Sequence, residues 1–205
     1  SAAGGVVNYL KTNQQGAIPQ ITGIKIESQD EHMALDFVTQ RNLELVSSIQ
    51  EGRREGTLLS VVDATRTAPG ARMLREWLFH PLTRLPGIER RLDCVEELSA
   101  SERLRGDLRQ SLSNVGDVER IISKVCCGRA TPRDLGVLRA SLQSIPPVWE
   151  ALEKVESGML VDLGAEGFPD LNEVTRLLES ILVEDPPVQL ADGGVVRAGC
   201  HEELD

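Results

Sequence analysis

The chain has 205 residues, is 40% hydrophobic but only 3% aromatic, and carries a formal net charge of −10. That is enough apolar material for one sizeable core built from Leu, Val and Ile, but no apolar run reaches the roughly 20 residues a membrane-spanning helix needs. The charge is uneven, −3 over residues 1–52, +4 over 53–139 and −11 over 140–205, which makes the whole chain a poor stand-alone DNA binder because non-specific affinity comes from neutralised phosphates.

Residues 4–15 suit a short helix with Val6, Tyr9 and Leu10 on one side, ended by Gly16 and Pro19. From Ile18 to Phe37 the pattern is extended. Ile24 and Ile26 flank Lys25, and Met33, Leu35 and Phe37 alternate with Ala34 and Asp36. This predicts at most two short strands near the N-terminus, marginal as a lone pair without helix cover. Arg41, Asn42 and Glu44 form a polar group, but no nucleophile or base accompanies them, so they read as caps and bridges. Residues 52–56 are a polar turn.

Residues 57–98 are the most strongly patterned. Leu58, Val61 and Val62 make a short apolar stripe that Asp63, Thr65 and Thr67 break. Beyond Pro69-Gly70, Ala71, Leu74, Trp77 and Leu78 recur at helical spacing, with Arg72, Arg75 and Glu76 facing away. His80-Pro81 ends this helix, because the residue before a proline is pushed out of the α region. After Pro86-Gly87, Ile88, Leu92 and Val95 form the next stripe, backed by Glu89, Arg90, Arg91 and Asp93.

Helices are predicted at about 101–112 (Leu104, Leu108, Leu112) and 117–127 (Val118, Ile121, Ile122, Val125), the second capped by Asp117. Thr131-Pro132-Arg133-Asp134 is a strong start signal: a capping hydroxyl, a proline at the first helical position and an acid placed to reach back. Leu135, Leu138, Leu142 and Ile145 then form a narrow seam suited to helix–helix packing. Pro146-Pro147 kinks or divides this helix before Trp149, Leu152 and Val155. Residues 157–170 are predicted as a loop with a few apolar anchors. Asp170 should cap a further helix on Leu171, Val174, Leu178 and Ile181, stopped by Glu184-Asp185-Pro186-Pro187.

The chain offers little to chemistry. Cys94, Cys126, Cys127 and Cys200 have no CxxC spacing, and His32, His80 and His201 do not pair with them. The cysteines therefore read as free thiols in a reducing cytosol, and no metal ligand set is assigned. There is no GxxxxGK[ST] phosphate loop. Adjacent acids such as Glu96–Glu97 point about 100° apart on a helix and cannot share a site. No catalytic, cofactor-binding or metal residue is assigned. Eighteen of the 22 basic residues are arginine. Arg72, Arg75, Arg90 and Arg91 are candidates for weak contacts to a DNA backbone; ion-paired helix surfaces are the reading favoured for them.

The densest motif stands as Leu58-Leu59-Ser60-Val61-Val62-Asp63, Thr65, Thr67, Gly70, Arg72, Leu74, Trp77-Leu78, Pro81-Leu82, Ile88, Arg91-Leu92-Asp93, Val95-Glu96 and Leu98. It resembles the core of the MutS family of DNA mismatch-recognition ATPases. Thr39 to Leu45 is similar to the family's T-RNLEL element, Asp117 to Ile121 to DLERL, and Pro132 to Leu135 to PRDL. The piece from Asp192 to Asp205 is similar to DGGVI--GY--ELD, with Cys200 in place of the usual tyrosine. The resemblance runs from about residue 4 to 205.

The resemblance implies a mainly α, multi-helix core (lever) bundle: residues 1–16 closing a connector, 17–190 forming the helical core, and 191–205 starting the lever helix towards a DNA-gripping clamp outside this chain. It implies a catalytically inert piece of a DNA-dependent ATPase, with ATP or ADP and Mg bound in another domain. The whole protein would bind mismatched double-stranded DNA as a homodimer, engage a MutL-type partner and work in the bacterial cytoplasm at the nucleoid, away from membranes. Two alternatives stand beside this: a free-standing helical scaffold for other proteins, and a MutS-like protein acting in recombination. With the clamp and its returning helix outside the chain, the Leu135–Ile145 and Leu171–Ile181 seams are expected to expose apolar surface, leading to self-association or a frayed segment beyond about residue 190.

Overall fold

A computed structural model describes residues 2–13, 31–165, 167 and 170–200. Its α-helices are α1 (Ala2–Asn13), α2 (Phe37–Asn42), α3 (Leu58–Val62), α4 (Ala68–Phe79), α5 (Leu85–Ala100) and α6 (Glu102–Leu112). They continue with α7 (Val118–Cys126), α8 (Pro132–Gln143), α9 (Ile145–Leu152), α10 (Gly158–Ala165) and α11 (Asn172–Ile181). Two isolated antiparallel bridges, His32 to Leu82 and Leu182 to Val196, are the only β pairing among the described residues. The fold is mainly α, as expected. None of the described helices is long and apolar enough to cross a membrane.

Helix boundaries follow local chemistry. Asp36 accepts the Thr39 N–H at 2.7 Å and starts α2. Thr57 and Thr67 cap α3 and α4 by accepting the N–H groups of Ser60 and Gly70. Asp117 caps α7 by accepting the Arg120 N–H. Thr131 and Asp134 form the anticipated reciprocal box at α8: Thr131 Oγ1 accepts the Asp134 N–H at 3.1 Å, and Asp134 accepts the Thr131 N–H at 2.9 Å. Each satisfies a donor that a helix start leaves without an intrahelical partner.

Several expectations need correction. Asp36 turns Phe37 into the first residue of α2, so the second predicted strand ends before it and Met33 to Asp36 form no strand. The first, around Ile24 to Ile26, lies outside the described residues. The predicted loop over 157–170 holds α10: the Val161 N–H donates to the Ser157 carbonyl at 2.9 Å, in the first turn of the helix that Gly158 opens. Turn-rich composition had masked an apolar helix that packs on α5 and α9.

The seams expected to be exposed pack in part on each other, with Val174 on α11 left 44% exposed. Ile121, Leu138 and Leu142 form a buried cluster, with Val118, Ile145, Leu171 and Leu178 against it. Helix α8 thus lies between α7 and α11, and each fully buried Leu or Ile contributes roughly 1.5–3 kcal/mol. The chain after α11 is tied to the segment beyond 190: Val183 N–H donates to Val195 O at 3.1 Å and Arg197 N–H to Ile181 O at 2.9 Å. Residues 190–192 form a 3-10 turn. The rest of 191–200 is non-helical, and 201–205 lie outside the described residues.

Close packing leaves marks on the glycines. A Cβ at Gly116 would sit 2.4 Å from Val137 Cγ1, so the entry to α7 can press against α8 only because no side chain intervenes. The Gly116 N–H donates to Ser141 Oγ at 2.9 Å, and Ser141, fully buried on α8, donates in turn to the Val137 carbonyl.

Candidate functional site

The polar residues that stand out in the sequence become ties between helices. On α4, Arg72 reaches across to α7 and its cap, donating to Asp117 at 2.7 and 2.9 Å and to Glu119 at 2.5 Å. This bidentate fork is the geometry guanidinium and carboxylate share best. It holds the Asp117 carboxyl below the ordinary aspartate range and pushes the Arg72 guanidinium further up. Arg90 on α5 donates to Asp162 on α10 at 2.5 Å. Arg91 lies with its guanidinium 3.8 Å from the centre of the Trp77 ring, joining α5 to α4, and burial pushes its pKa down. Arg75 stacks 5.3 Å from Phe79 within α4.

Of the four arginines considered for DNA contact, then, two are ion-paired within the fold and two rest on aromatic rings. They do not form one patch of unpartnered cations. Asp63, Thr65 and Thr67 serve the backbone: Asp63 accepts from Thr65 N and Oγ1 at 3.0 and 2.6 Å and pairs with Arg54. Hydrogen bonding from Thr65, then the pairing with Arg54, holds its pKa down. Glu44 has a φ of 47°, unusual for a residue with a side chain, and its carboxylate accepts the Ile49 N–H at 2.6 Å.

The arrangement with most structural consequence involves Arg139, which the sequence reading passed over. It sits on α8 next to the core residue Leu138 and is only 8% exposed. Its guanidinium donates to three successive carbonyls: Leu182 at 3.2 Å, Val183 at 3.0 Å and Glu184 at 2.6 Å. These lie just beyond the C-terminal end of α11, where carbonyls lack intrahelical donors and the helix dipole favours a cation. Arg197 shares this work, donating from Nε to Leu182 O at 2.7 Å. Two arginines and a two-residue bridge therefore bind α8, α11 and the departing chain together. An arginine adjoining a leucine seam was the available signal, but its acceptors lie more than 40 positions away and are backbone, which no side-chain pattern records.

Two further ties were partly legible. Lys124 on α7 donates to Asp134 on α8 at 2.7 Å, and this bond, with the Thr131 N–H, holds the Asp134 carboxyl down to about 2. Glu97 on α5 accepts the N–H groups of Glu156 and Ser157 at 2.6 and 2.8 Å, before α10. Hydrogen bonding by Ser157, then by the Glu156 N–H, lowers its pKa. Cys94 is buried, Cys200 half-buried, and Cys126 and Cys127 are exposed free thiols at the end of α7. The structure brings two of the scattered histidines together: His32 Nδ1 lies 2.9 Å from His80 O, with the rings edge to face.

The Asp134 tie predicts a pH dependence. A carboxyl whose pKa is lower in the folded state stabilises the fold above its unfolded value and loses that contribution as pH falls through the folded value. Stability should therefore drop between about pH 4 and pH 2, and Asp134→Asn should flatten that drop while lowering stability at pH 7. Urea titrations at a series of pH values measure it; an unchanged slope in the variant would remove the role given to Asp134.

This architecture of capped, cross-tied helices has relatives. A family model described as MutS domain III matches residues 38–203. The chain belongs to this family. The DNA mismatch repair protein MutS of Salinibacter ruber is 43% identical over 204 residues, a match that takes in 100% of this chain and 22% of that protein. Those of Alkaliphilus oremlandii and Methanosarcina barkeri are 38% and 37% identical over 205 and 207 residues, each again across 100% of this chain and 23% of the relative. The chain thus spans less than a quarter of the length of the MutS proteins it matches. Among the described residues of this chain, Thr67, Arg72, Asp117 and Asp134 are helix caps and ties between helices.

Proposed function

We propose that this MutS domain III is the mechanical relay of a DNA mismatch repair protein, transmitting nucleotide-driven change in an ATPase domain to a clamp on DNA. The observation that carries the reading is the set of side-chain ties across neighbouring helices, Arg72 to Asp117, Arg90 to Asp162, Lys124 to Asp134 and Arg139 to the end of α11. A relay needs elements that move as rigid bodies between discrete arrangements, and such ties suppress independent sliding of helices. In the whole protein, mismatched DNA, a homodimeric partner, a MutL-type partner and ATP with Mg would be engaged outside these residues, in the cytoplasm.

The test uses a full-length MutS protein carrying this domain. Arg72→Gln removes the α4–α7 tie at an exposed position. Mismatched-DNA affinity without nucleotide should stay within about twofold, while ATP-triggered release should slow by about fivefold or more, the lower end of allosteric coupling factors. Release at the wild-type rate in this variant and in Arg90→Gln would overturn the relay reading.

A further inference from the structure

The structure holds a cavity that the relay does not use. A hollow of about 390 Å³ opens between α2, the loop that follows it and α4, within the size range of small-ligand and side-chain pockets. Phe37 and Arg41 line it from α2, Ser47 and Ile49 from the loop, and Arg75 and Phe79 from α4. No acidic residue lines it. Arg41 and Arg75 have no ion-pair partner among the described residues, in contrast to Arg54, Arg72 and Arg90. The Arg75 guanidinium carbon lies 5.3 Å from the centre of the Phe79 ring, a contact that uses none of its N–H donors. Phe37 is 76% exposed and Ile49 48% exposed, a large apolar outlay for a lip that covers nothing.

The loop is held in shape without using these groups. Glu44 takes up its left-handed conformation and its carboxylate accepts the Ile49 N–H. Ser48 N–H donates to Arg53 O at 2.8 Å and Gly52 N–H to Ser48 O at 3.0 Å. Strain of this kind in a residue with a side chain persists only where surrounding contacts impose it, and it gathers at binding sites.

We infer that this cavity binds an acidic–apolar peptide segment, one carboxylate meeting Arg41 and Arg75 and one neighbouring apolar side chain resting against Phe37, Ile49 and Phe79. A phosphate is a poorer fit. The start of α2 beside the cavity is already capped by the Asp36 carboxylate, which occupies the Thr39 N–H and would repel a multiply charged group. A single carboxylate is matched by two guanidinium groups, and aromatic and aliphatic walls suit a peptide side chain.

The experiment pans a phage library of random heptapeptides on the 205-residue chain and measures binding of the enriched peptides as synthetic probes. Enriched sequences should carry Asp or Glu within two residues of Leu, Ile or Phe. Binding should weaken about fivefold or more in Arg41→Gln, in Arg75→Gln and for the peptide with its acid changed to Asn or Gln, and stay unchanged in Arg103→Gln, far along the chain on α6. The Gln variants are at exposed positions, and matching thermal unfolding curves establish that they fold. Absence of enrichment, enriched sequences without an acid, or binding insensitive to both arginine changes would overturn the proposal. Displacement of the peptide by inorganic phosphate or AMP at equal concentration would overturn it too, in favour of a phosphate site.

Discussion

Arg139→Met is expected to lower the unfolding free energy by roughly 2–4 kcal/mol, although it keeps much of the side chain's apolar volume. Three carbonyls lose the Arg139 N–H groups, and each buried acceptor left with no donor costs about 1–3 kcal/mol. The total is held below three such costs because Leu182 O keeps the Arg197 Nε–H and Glu184 is exposed to water. For a domain of this size the midpoint of thermal unfolding should fall by roughly 5–15 °C. Arg139→Lys should lie between, since an ammonium keeps the charge near the end of α11 but lacks the planar fork that reaches successive carbonyls. Urea unfolding monitored by circular dichroism measures all three proteins. A Met variant within about 0.5 kcal/mol of the parent, the range of inconsequential surface changes, would mean that water satisfies these carbonyls just as well.

Leu138→Ala should cost about as much or more, 2–5 kcal/mol, the range for truncating a buried leucine without full collapse around it. Leu138 is 6% exposed and sits with Ile121 and Leu142 where α7 and α11 meet α8. Collapse there is resisted by the ties that frame the cluster: Ser141 to Gly116 on one side and Arg139 to the end of α11 on the other. Leu138→Met, which conserves volume, should cost less than about 1.5 kcal/mol. If the alanine variant proved as stable as the methionine variant, the cluster could not be the centre of the α7–α8–α11 packing.

The two substitutions affect adjacent residues with different partners, one feeding the apolar cluster and the other the polar clasp. Their neighbourhood explains why a leucine seam expected to face outward is buried. Helix α11 returns to cover α8, and the pair is then sealed by the bridge between Leu182 and Val196. No helix from beyond this chain is required for that cover. Apolar side chains that stay exposed include Val137 on α8 and Val174 and Leu177 on α11, besides Val61 on α3, Leu85, Leu92 and Val95 on α5, and Phe37 on α2.

What the residue pattern determined by itself depends on neighbours within a few positions. The helix starts at Asp117 and Thr131 were legible because a cap and the N–H it satisfies are three residues apart; the caps at Thr57 and Thr67 were passed over. The cap at Asp36 was missed too, since it starts a helix three residues before Thr39 where alternation suggested a strand. The stripes of α4, α6, α7 and α8 were legible because burial on one helix face imposes a 3.6-residue period, whereas Leu92 and Val95 of the stripe predicted for α5 stay exposed and Cys94 is its buried residue. Family membership was legible in the spacings of residues 58–98, among which Thr67 caps, Asp63 and Arg72 are ion-paired and Leu59 is buried, while Val61, Leu92 and Val95 stay exposed. Tertiary structure alone decided the rest. A glycine-opened stretch at 158–165 became α10 because α5 and α9 gave its apolar side chains a surface to bury against. The partners of Arg72, Arg90 and Arg139 are 45, 72 and 43–45 positions away. An arginine advertises its charge in the sequence, but whether that charge faces a phosphate, a carboxylate or a row of carbonyls is set by which helices the fold lays beside it.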